Sequence, residues 1–219
     1  MEKIAIATRD GVCPACACRP EGEGPWPAVI VYMDGPGMRP AVTEIGERLA
    51  RNGYFALVPD LFYRSGPYAP VDPKVVWTDK ALREAHRAKF MEPAKPEPIM
   101  SDTAALLDFL AARPDVRPGP VGVVGYCMGG RLALIAAGTY PDRIAAAASY
   151  RGGGLASDAP SSPHRLAARM QARIYVGGAT DDANFDDAQK ARLEAALSEA
   201  GVDHVVETYP AKHGWVLRD

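Results

Sequence analysis

Short apolar runs alternate with segments of helical periodicity along most of the chain. Continuous apolar runs are typical of strands buried on both faces of a sheet. Together with shorter β-prone segments they predict eight strands, at residues 3–8, 12–19, 28–33, 54–58, 121–124, 144–149, 172–176 and 205–208. Apolar residues three and four apart predict helices near residues 42–49, 101–110, 131–137 and 187–200. This alternation indicates an α/β protein with a mostly parallel sheet covered on both faces.

Residues 61–100 depart from this alternation. They contain many prolines, several aromatic residues and one weakly helical stretch near residues 80–90. A long excursion that leaves the end of a core strand is more typical of an active-site cover than of a second domain. We therefore expect residues 1–219 to form a single domain with a cover at 61–100.

The strand at residues 121–124 runs into Gly125-Tyr126-Cys127-Met128-Gly129, which fits the G-x-S-x-G elbow with cysteine in place of serine. A nucleophile on such a turn lies at a helix N-terminus, where the dipole favours a thiolate. There the Met128 amide can donate to an oxyanion. The alternative is a buried cysteine in a glycine-rich turn that binds a nucleotide phosphate. However, no Lys-Ser/Thr pair follows, and the glycine spacing does not match G-x-G-x-x-G.

A thiol nucleophile needs a base and a group that orients the base. In α/β hydrolases the order is nucleophile, acid, histidine. His213 follows the strand at 205–208, and Asp181 and Asp182 follow the strand at 172–176. Asp181 is the preferred acid and Asp182 the alternative. The other three histidines fit the role less well. We expect His86 on a solvated face, His164 in a loop and His204 at the start of a strand.

With these residues in place, the sequence resembles the dienelactone hydrolase family of α/β hydrolases. The segments that carry the resemblance are residues 27–39 (PAVIVYMDGPGMR), 53–64 (GYFALVPDLFYR), 125–130 (GYCMGG), 178–182 (GATDD) and 209–215 (YPAKHGW). The resemblance implies the α/β-hydrolase fold, a mostly parallel central sheet of about eight strands with helices on both faces. It also implies a catalytic triad of Cys127, Asp181 and His213.

The resemblance implies two further roles on the loop after the first long core strand. Asp34 would touch the resting thiol and move when substrate enters, and the Gly35 amide would complete the oxyanion hole with that of Met128. The alternative for Asp34-Gly35-Pro36-Gly37 is a plain turn, which this composition favours in any case.

The substrate pocket is expected to include the following residues: Tyr63, Arg64, Tyr126, Arg151 and Trp215. The type member of the family binds its substrate carboxylate through arginines, and the loose candidates here are Arg39, Arg64, Arg151 and Arg218. The chain ends six residues after His213, where the family has a further helix. We expect either a truncated C-terminus or a sheet face that is covered differently, and a monomer or weak homodimer.

Charge and cysteine content narrow the class of protein. The chain has 25 Lys and Arg against 27 Asp and Glu, a net charge of −2, which argues against a nucleic-acid or membrane-surface binder. No long apolar run and no secretory leader are evident, so a cytoplasmic, reducing setting is expected. Cys13-Pro-Ala-Cys16-Ala-Cys18 invites a zinc or redox interpretation, but no fourth ligand lies nearby and the segment is predicted to be a strand. Ordinary free thiols are expected.

The predicted function is therefore hydrolysis of a small ester or lactone by a cysteine nucleophile through an acyl-enzyme, with no metal or organic cofactor. Two alternatives remain: a general carboxylesterase or thioesterase, and a non-catalytic thiol sensor or binding protein of the same fold.

Overall fold

The computed structural model of the chain describes residues 1–213, 216 and 217. It has two compact units, one formed by residues 1–118 with Leu217 and the other by residues 119–216. Each unit contains four strands. The single domain expected from the sequence stays a prediction.

The first unit is built on four strands and the helix between the third and fourth of them. These elements are β1 (Glu2–Thr8), β2 (Gly11–Cys18), β3 (Ala28–Tyr32), α1 (Pro40–Arg51) and β4 (Phe55–Pro59). The strands lie in the order β1-β2-β4-β3, with β2 antiparallel to both neighbours and β3 parallel to β4. The β1–β2 hairpin is closed by the Thr8–Gly11 pair, so its turn is Arg9-Asp10, one residue earlier than the Asp10-Gly11 that the sequence suggests. Gly11 starts β2 with a φ of 139°, which other residues avoid.

The segment at residues 61–100 contains more regular structure than its composition predicts. A 3₁₀ turn at Tyr63–Ser65 precedes two short helices, α2 (Pro73–Thr78) and α3 (Lys80–His86), and a π-helical turn at Arg87–Met91. Both short helices start at an aspartate whose carboxylate accepts a backbone N–H: Asp72 from Lys74 at 2.8 Å and Asp79 from Leu82 at 3.0 Å.

The helix after this segment, α4 (Pro96–Ala111), begins earlier than residue 101, where the sequence predicts its start. Pro96 and Pro98 lie in its first turn, where a missing backbone N–H breaks no intrahelical bond. Apolar residues of α4, including Ile99 and Leu106, are fully buried.

In the second unit, four parallel strands alternate with helices. These elements are β5 (Val121–Tyr126), α5 (Met128–Thr139), β6 (Ile144–Tyr150), β7 (Arg173–Asp181), α6 (Asp187–Glu199) and β8 (His204–Lys212), and a 3₁₀ helix spans Pro163–Arg169. The strand order is β5-β6-β7-β8. Because the strands are parallel, the residues that follow β5, β7 and β8 share one edge of this part of the sheet.

Candidate active site

Cys127 lies in a strained turn between β5 and α5. Its φ of 53° and ψ of −111° fall in a region that costs a non-glycine residue roughly 1–3 kcal/mol. Its backbone N–H donates to the Tyr150 carbonyl at 3.0 Å, which ties the turn to the end of β6. A Cβ atom at Gly125 would lie 1.9 Å from the Gly129 carbonyl oxygen. Only glycine therefore fits there, and the sharp turn predicted for this motif is present.

The imidazole of His213, at the end of β8, lies against the thiol. Its Nε2 is 3.2 Å from the Cys127 Sγ, and its Nδ1 donates to Oδ2 of Asp182 at 2.6 Å. The predicted pairing of a cysteine at residue 127 with a histidine at residue 213 is thus present as a side-chain contact. The two side chains come from positions 86 residues apart.

The carboxylate at His213 belongs to Asp182, so the preference for Asp181 is wrong. The Asp182 side chain has no exposed surface, whereas that of Asp181 is 76% exposed and lies 4.0 Å from the Lys212 ammonium. The two side chains differ because β7 ends between these residues. Asp181 is still paired with Lys212 in the sheet and directs its side chain to solvent, while Asp182 leaves the strand and turns inwards.

Asn184, which the sequence analysis missed, holds the other oxygen of Asp182. Oδ1 accepts from the Asn184 backbone N–H at 3.0 Å and from its Nδ2 at 3.1 Å. The sequence does carry a signal for this contact: an aspartate just after a strand, followed two residues later by an asparagine, is the pattern of an Asx turn. Asp182 is therefore fixed at both oxygens.

The electrostatics of this group favour a charged imidazole. The hydrogen bond to Cys127 raises the pKa of His213, burial opposes that rise, and the bond to Asp182 adds to it. Cys127 also precedes α5, whose N-terminal dipole stabilises a thiolate. The arrangement can therefore hold a thiolate beside an imidazolium.

The other three cysteines are buried free thiols on β2. Burial raises the pKa of Cys13 to about 12 and that of Cys18 to about 11, and it also raises the pKa of Cys16. These groups are protonated near neutral pH. Among the described residues, no group of three or more His, Cys, Asp or Glu side chains could hold a metal ion.

Met128, the predicted oxyanion donor, is the first residue of α5. A backbone N–H at this position has no acceptor within the helix, so it can donate to an anion beside the turn.

Asp34 and Gly35 lie on the loop at residues 33–39, between β3 and α1. The Asp34 carboxylate is 1% exposed and is bound by both guanidinium nitrogens of Arg39, at 2.5 and 3.1 Å. Arg39 also donates to the Gly37 carbonyl at 3.1 Å. Asp34 is thus part of a buried ion pair, and its predicted contact with the thiol stays a prediction.

Tyr63 and Arg64, predicted to line the pocket, link segments that are far apart in sequence. The Tyr63 hydroxyl bonds to Thr8 at 2.7 Å and to Asp102 at 3.0 Å. The Arg64 guanidinium donates to both oxygens of Asp102, each at 2.7 Å, and to Asp10. The polar groups of both side chains are engaged in these hydrogen bonds. Whether Tyr63 and Arg64 line a substrate pocket stays a prediction.

Tyr126 and Arg151 lie at the carboxyl edge of the second unit. Tyr126 immediately precedes Cys127, and its ring stacks on that of Tyr150 with centroids 5.5 Å apart. Arg151 is buried, has a φ of 49° and donates its backbone N–H to Gly177 at 2.8 Å. Their predicted pocket role stays untested, and Trp215 and Arg218 lie outside the described residues.

His86 is buried, and its expected place on a solvated face is wrong. The side chain is 5% exposed, and its Nε2 donates to the Gly35 carbonyl at 2.7 Å. Its charged neighbours concealed a helical signal: His86 and Phe90, four residues apart, both face inwards.

Comparisons with known proteins point to one family. The model of the dienelactone hydrolase family matches residues 13–219. A carboxymethylenebutenolidase from Pseudomonas putida is 30% identical over 178 residues, which cover 81% of this chain and 70% of that protein.

Two solved structures are similar along nearly the whole chain. A candidate dienelactone hydrolase from Klebsiella pneumoniae subsp. pneumoniae superposes with a TM-score of 0.83 at 22% identity, covering 98% of this chain and 87% of the other. A dienelactone hydrolase-like promiscuous phosphotriesterase from metagenomic libraries gives 0.74 at 25% identity, covering 98% and 84%. The predicted α/β-hydrolase fold, with eight strands and mostly parallel pairing, is confirmed, as is the predicted hydrolase class.

Proposed function

Because the chain belongs to the dienelactone hydrolase family, we propose that it hydrolyses small esters or lactones through an acyl-enzyme formed on Cys127. One observation supports this proposal above all others. Sγ of Cys127, the ring of His213 and the buried carboxylate of Asp182 form an unbroken line of hydrogen bonds, at 3.2 and 2.6 Å. Nucleophile, base and orienting acid in that order are the requirement for covalent acyl transfer.

In the first half of the reaction, Nε2 of His213 takes the proton of the Cys127 thiol. The thiolate attacks the carbonyl carbon, a carbon–sulfur bond forms, and the carbonyl π electrons move to the oxygen. The Met128 amide stabilises that oxyanion. From the resemblance to the family, we propose the Gly35 amide as the second donor.

The intermediate collapses when the bond to the leaving alkoxide breaks and His213 returns its proton to that oxygen. In a lactone the alcohol stays attached to the acyl group. His213 then removes a proton from water, and the resulting hydroxide attacks the thioester carbonyl. The carbon–sulfur bond breaks, the acid leaves, and the imidazolium returns its proton to the Cys127 thiolate. Asp182 keeps the Nδ1 proton of His213 in place and stabilises the imidazolium in both halves.

The substrate class rests on the family and on the named relative from Pseudomonas putida, a carboxymethylenebutenolidase. We propose that this site binds a lactone or a small ester. We also propose that the protein is a monomer or a weak homodimer. No helix among the described residues has the length and apolar character needed to cross a bilayer. All four cysteines are free, which supports the proposed cytoplasmic, reducing location.

The experiment that tests this function is turnover of p-nitrophenyl acetate, with the mass of the intact protein recorded during turnover. We expect the wild type to carry one acetyl group, and Cys127→Ala to carry none and to lose turnover. Cys16→Ala, which removes another buried thiol, is the matched control and should keep both. Equal slow rates in the wild type and in Cys127→Ala would refute the nucleophile.

A further inference from the structure

The register between β7 and β8 changes near the ends of both strands. Ala179 pairs with Tyr209 and Asp181 pairs with Lys212, so two steps along β7 face three steps along β8. One extra residue of β8 is therefore inserted here, as in a β-bulge, and bulges often lie beside active sites, where they redirect a side chain. Since His213 directly follows Lys212, this bulge sets the position at which His213 leaves the strand.

Lys190 reaches back to this bulge from the first turns of α6. Its ammonium donates to the Ala179 carbonyl at 3.1 Å. Ala179 is 1% exposed, so its carbonyl depends on donors from within the protein. The hydrogen bond joins positions 11 residues apart, and it closes the segment that contains Asp182.

The burial of Lys190 is uncommon for a lysine. The residue is 8% exposed, and removal of an ammonium from water costs free energy. Its other acceptor is Oδ1 of Asp187 at 2.9 Å, but the Asp187 side chain is 97% exposed, and an ion pair in contact with water contributes little to stability. The hydrogen bond to the Ala179 carbonyl is therefore the contact that the buried position of Lys190 secures.

The Lys190 stem packs at a defined place on β7. A Cβ atom at Gly178 would lie 3.3 Å from Cε of Lys190 and 3.4 Å from the Phe185 ring, so both side chains lie against this part of the strand. Phe185 is fully buried, and its backbone N–H donates to the Asp182 carbonyl at 3.1 Å. The turn that carries Asp182 is thus held at both ends, by Lys190 at the strand and by Phe185 after the turn.

We propose that Lys190 is a positioning residue for hydrolysis: its hydrogen bond to the Ala179 carbonyl holds the bulge, so that the Asp182 carboxylate stays at the His213 ring. This inference rests on the proposed function. Lys190 acts through the backbone that carries Asp182, whose Oδ2 lies 2.6 Å from Nδ1 of His213. A displacement of about 1 Å in such a group can cost on the order of 100-fold in rate.

The test compares Lys190→Met with Lys190→Arg. Methionine keeps an unbranched stem beside Gly178 but has no N–H donor, whereas arginine keeps charged N–H donors at a similar reach. We expect Lys190→Met to lower kcat on p-nitrophenyl acetate about 10-fold with KM within about twofold. Lys190→Arg should stay within about threefold of the wild-type kcat.

The matched control is Asp187→Asn. This variant removes the exposed partner of the Lys190 ammonium and keeps the hydrogen bond to the Ala179 carbonyl. Its kcat should stay within about twofold of the wild type, because the ion pair is in contact with water.

A second measurement separates positioning from stability and from charge. The hydrogen bonds to Cys127 and to Asp182 both raise the pKa of His213. The pKa of the imidazole is followed by NMR in a Cys127→Ala background, where the ring no longer shares its proton with a thiol. There Lys190→Met should lower the pKa of His213 by about 0.5 to 1, because the bond to Asp182 loosens. Removal of a positive charge alone would raise this pKa, and a loss of stability alone would leave it unchanged.

Four results would overturn the inference: wild-type kcat in Lys190→Met, an equal loss in Lys190→Arg, an equal loss in Asp187→Asn, or a pKa of His213 that Lys190→Met leaves unchanged or raises. If Lys190→Met does not fold, Lys190→Gln takes its place, because its shorter side chain ends before the Ala179 carbonyl, and the same losses are expected. Failure of the proposed function would appear elsewhere, as turnover that survives Cys127→Ala, whereas the NMR titration does not depend on turnover.

Discussion

Replacement of Asp182 by asparagine tests the assignment of the acid most directly, because the surroundings of this residue dictate how the amide must lie. Oδ1 of Asp182 accepts two N–H donors from Asn184, at 3.0 and 3.1 Å. In Asp182→Asn the amide oxygen must take that place, since an NH₂ group there would face two donors. The NH₂ group is then directed at Nδ1 of His213, which lies 2.6 Å from Oδ2 in the wild type.

The imidazole responds by changing tautomer. Nδ1 becomes the acceptor, the ring proton moves to Nε2, and the nitrogen that faces Cys127 can no longer take the thiol proton. In serine triads the same change lowers kcat about 10⁴-fold. A thiol is more acidic than a serine hydroxyl and needs less help, so we expect a loss of about 10³-fold, which corresponds to about 4 kcal/mol in the activation free energy.

The assay is kcat for p-nitrophenyl acetate near neutral pH, with Asp181→Asn as the matched control. Asp181 is largely exposed, so that variant should stay within about twofold of the wild type. Thermal melting of both variants shows whether the fold is kept. The reasoning is refuted if Asp181→Asn loses more activity than Asp182→Asn, or if both keep wild-type turnover.

Three further predictions concern protonation and burial. Iodoacetamide at neutral pH should label Cys127 alone, because burial raises the pKa of Cys13 to about 12 and that of Cys18 to about 11; peptide mapping that finds label on β2 would contradict this. The raised pKa of His213 means that the native state binds its proton more tightly than the unfolded chain. The stability advantage of the wild type over His213→Gln should therefore be full below about pH 6.5 and shrink as the pH rises through the native pKa, as urea melts would show; an advantage that grows with pH would have the wrong sign. The Ser149 hydroxyl is fully buried and has no hydrogen-bond partner within the described part of the chain. Ser149→Ala should therefore raise the free energy of unfolding by about 1 kcal/mol, whereas a loss of that size in the same melts would indicate a partner.

The sequence predicts a local structure wherever a short segment by itself restricts the backbone. Gly125 and Gly129 flank Cys127 in a turn so tight that a Cβ atom at Gly125 would collide with the Gly129 carbonyl. The buried strands follow from continuous apolar runs, and the positions of His213 and of the aspartate pair follow from the order of strands along the chain.

Tertiary structure decided what depends on the direction of a side chain or on a partner far along the chain. Asp182 is at His213 because β7 ends at Asp181, and one residue reverses the side of a strand to which a side chain points. His86 is buried because the 61–100 segment folds onto Gly35, which lies 51 residues earlier, and Arg64 reaches Asp10 and Asp102 in the same way. A sequence pattern records spacing along the chain, whereas these contacts depend on which faces meet when the elements pack.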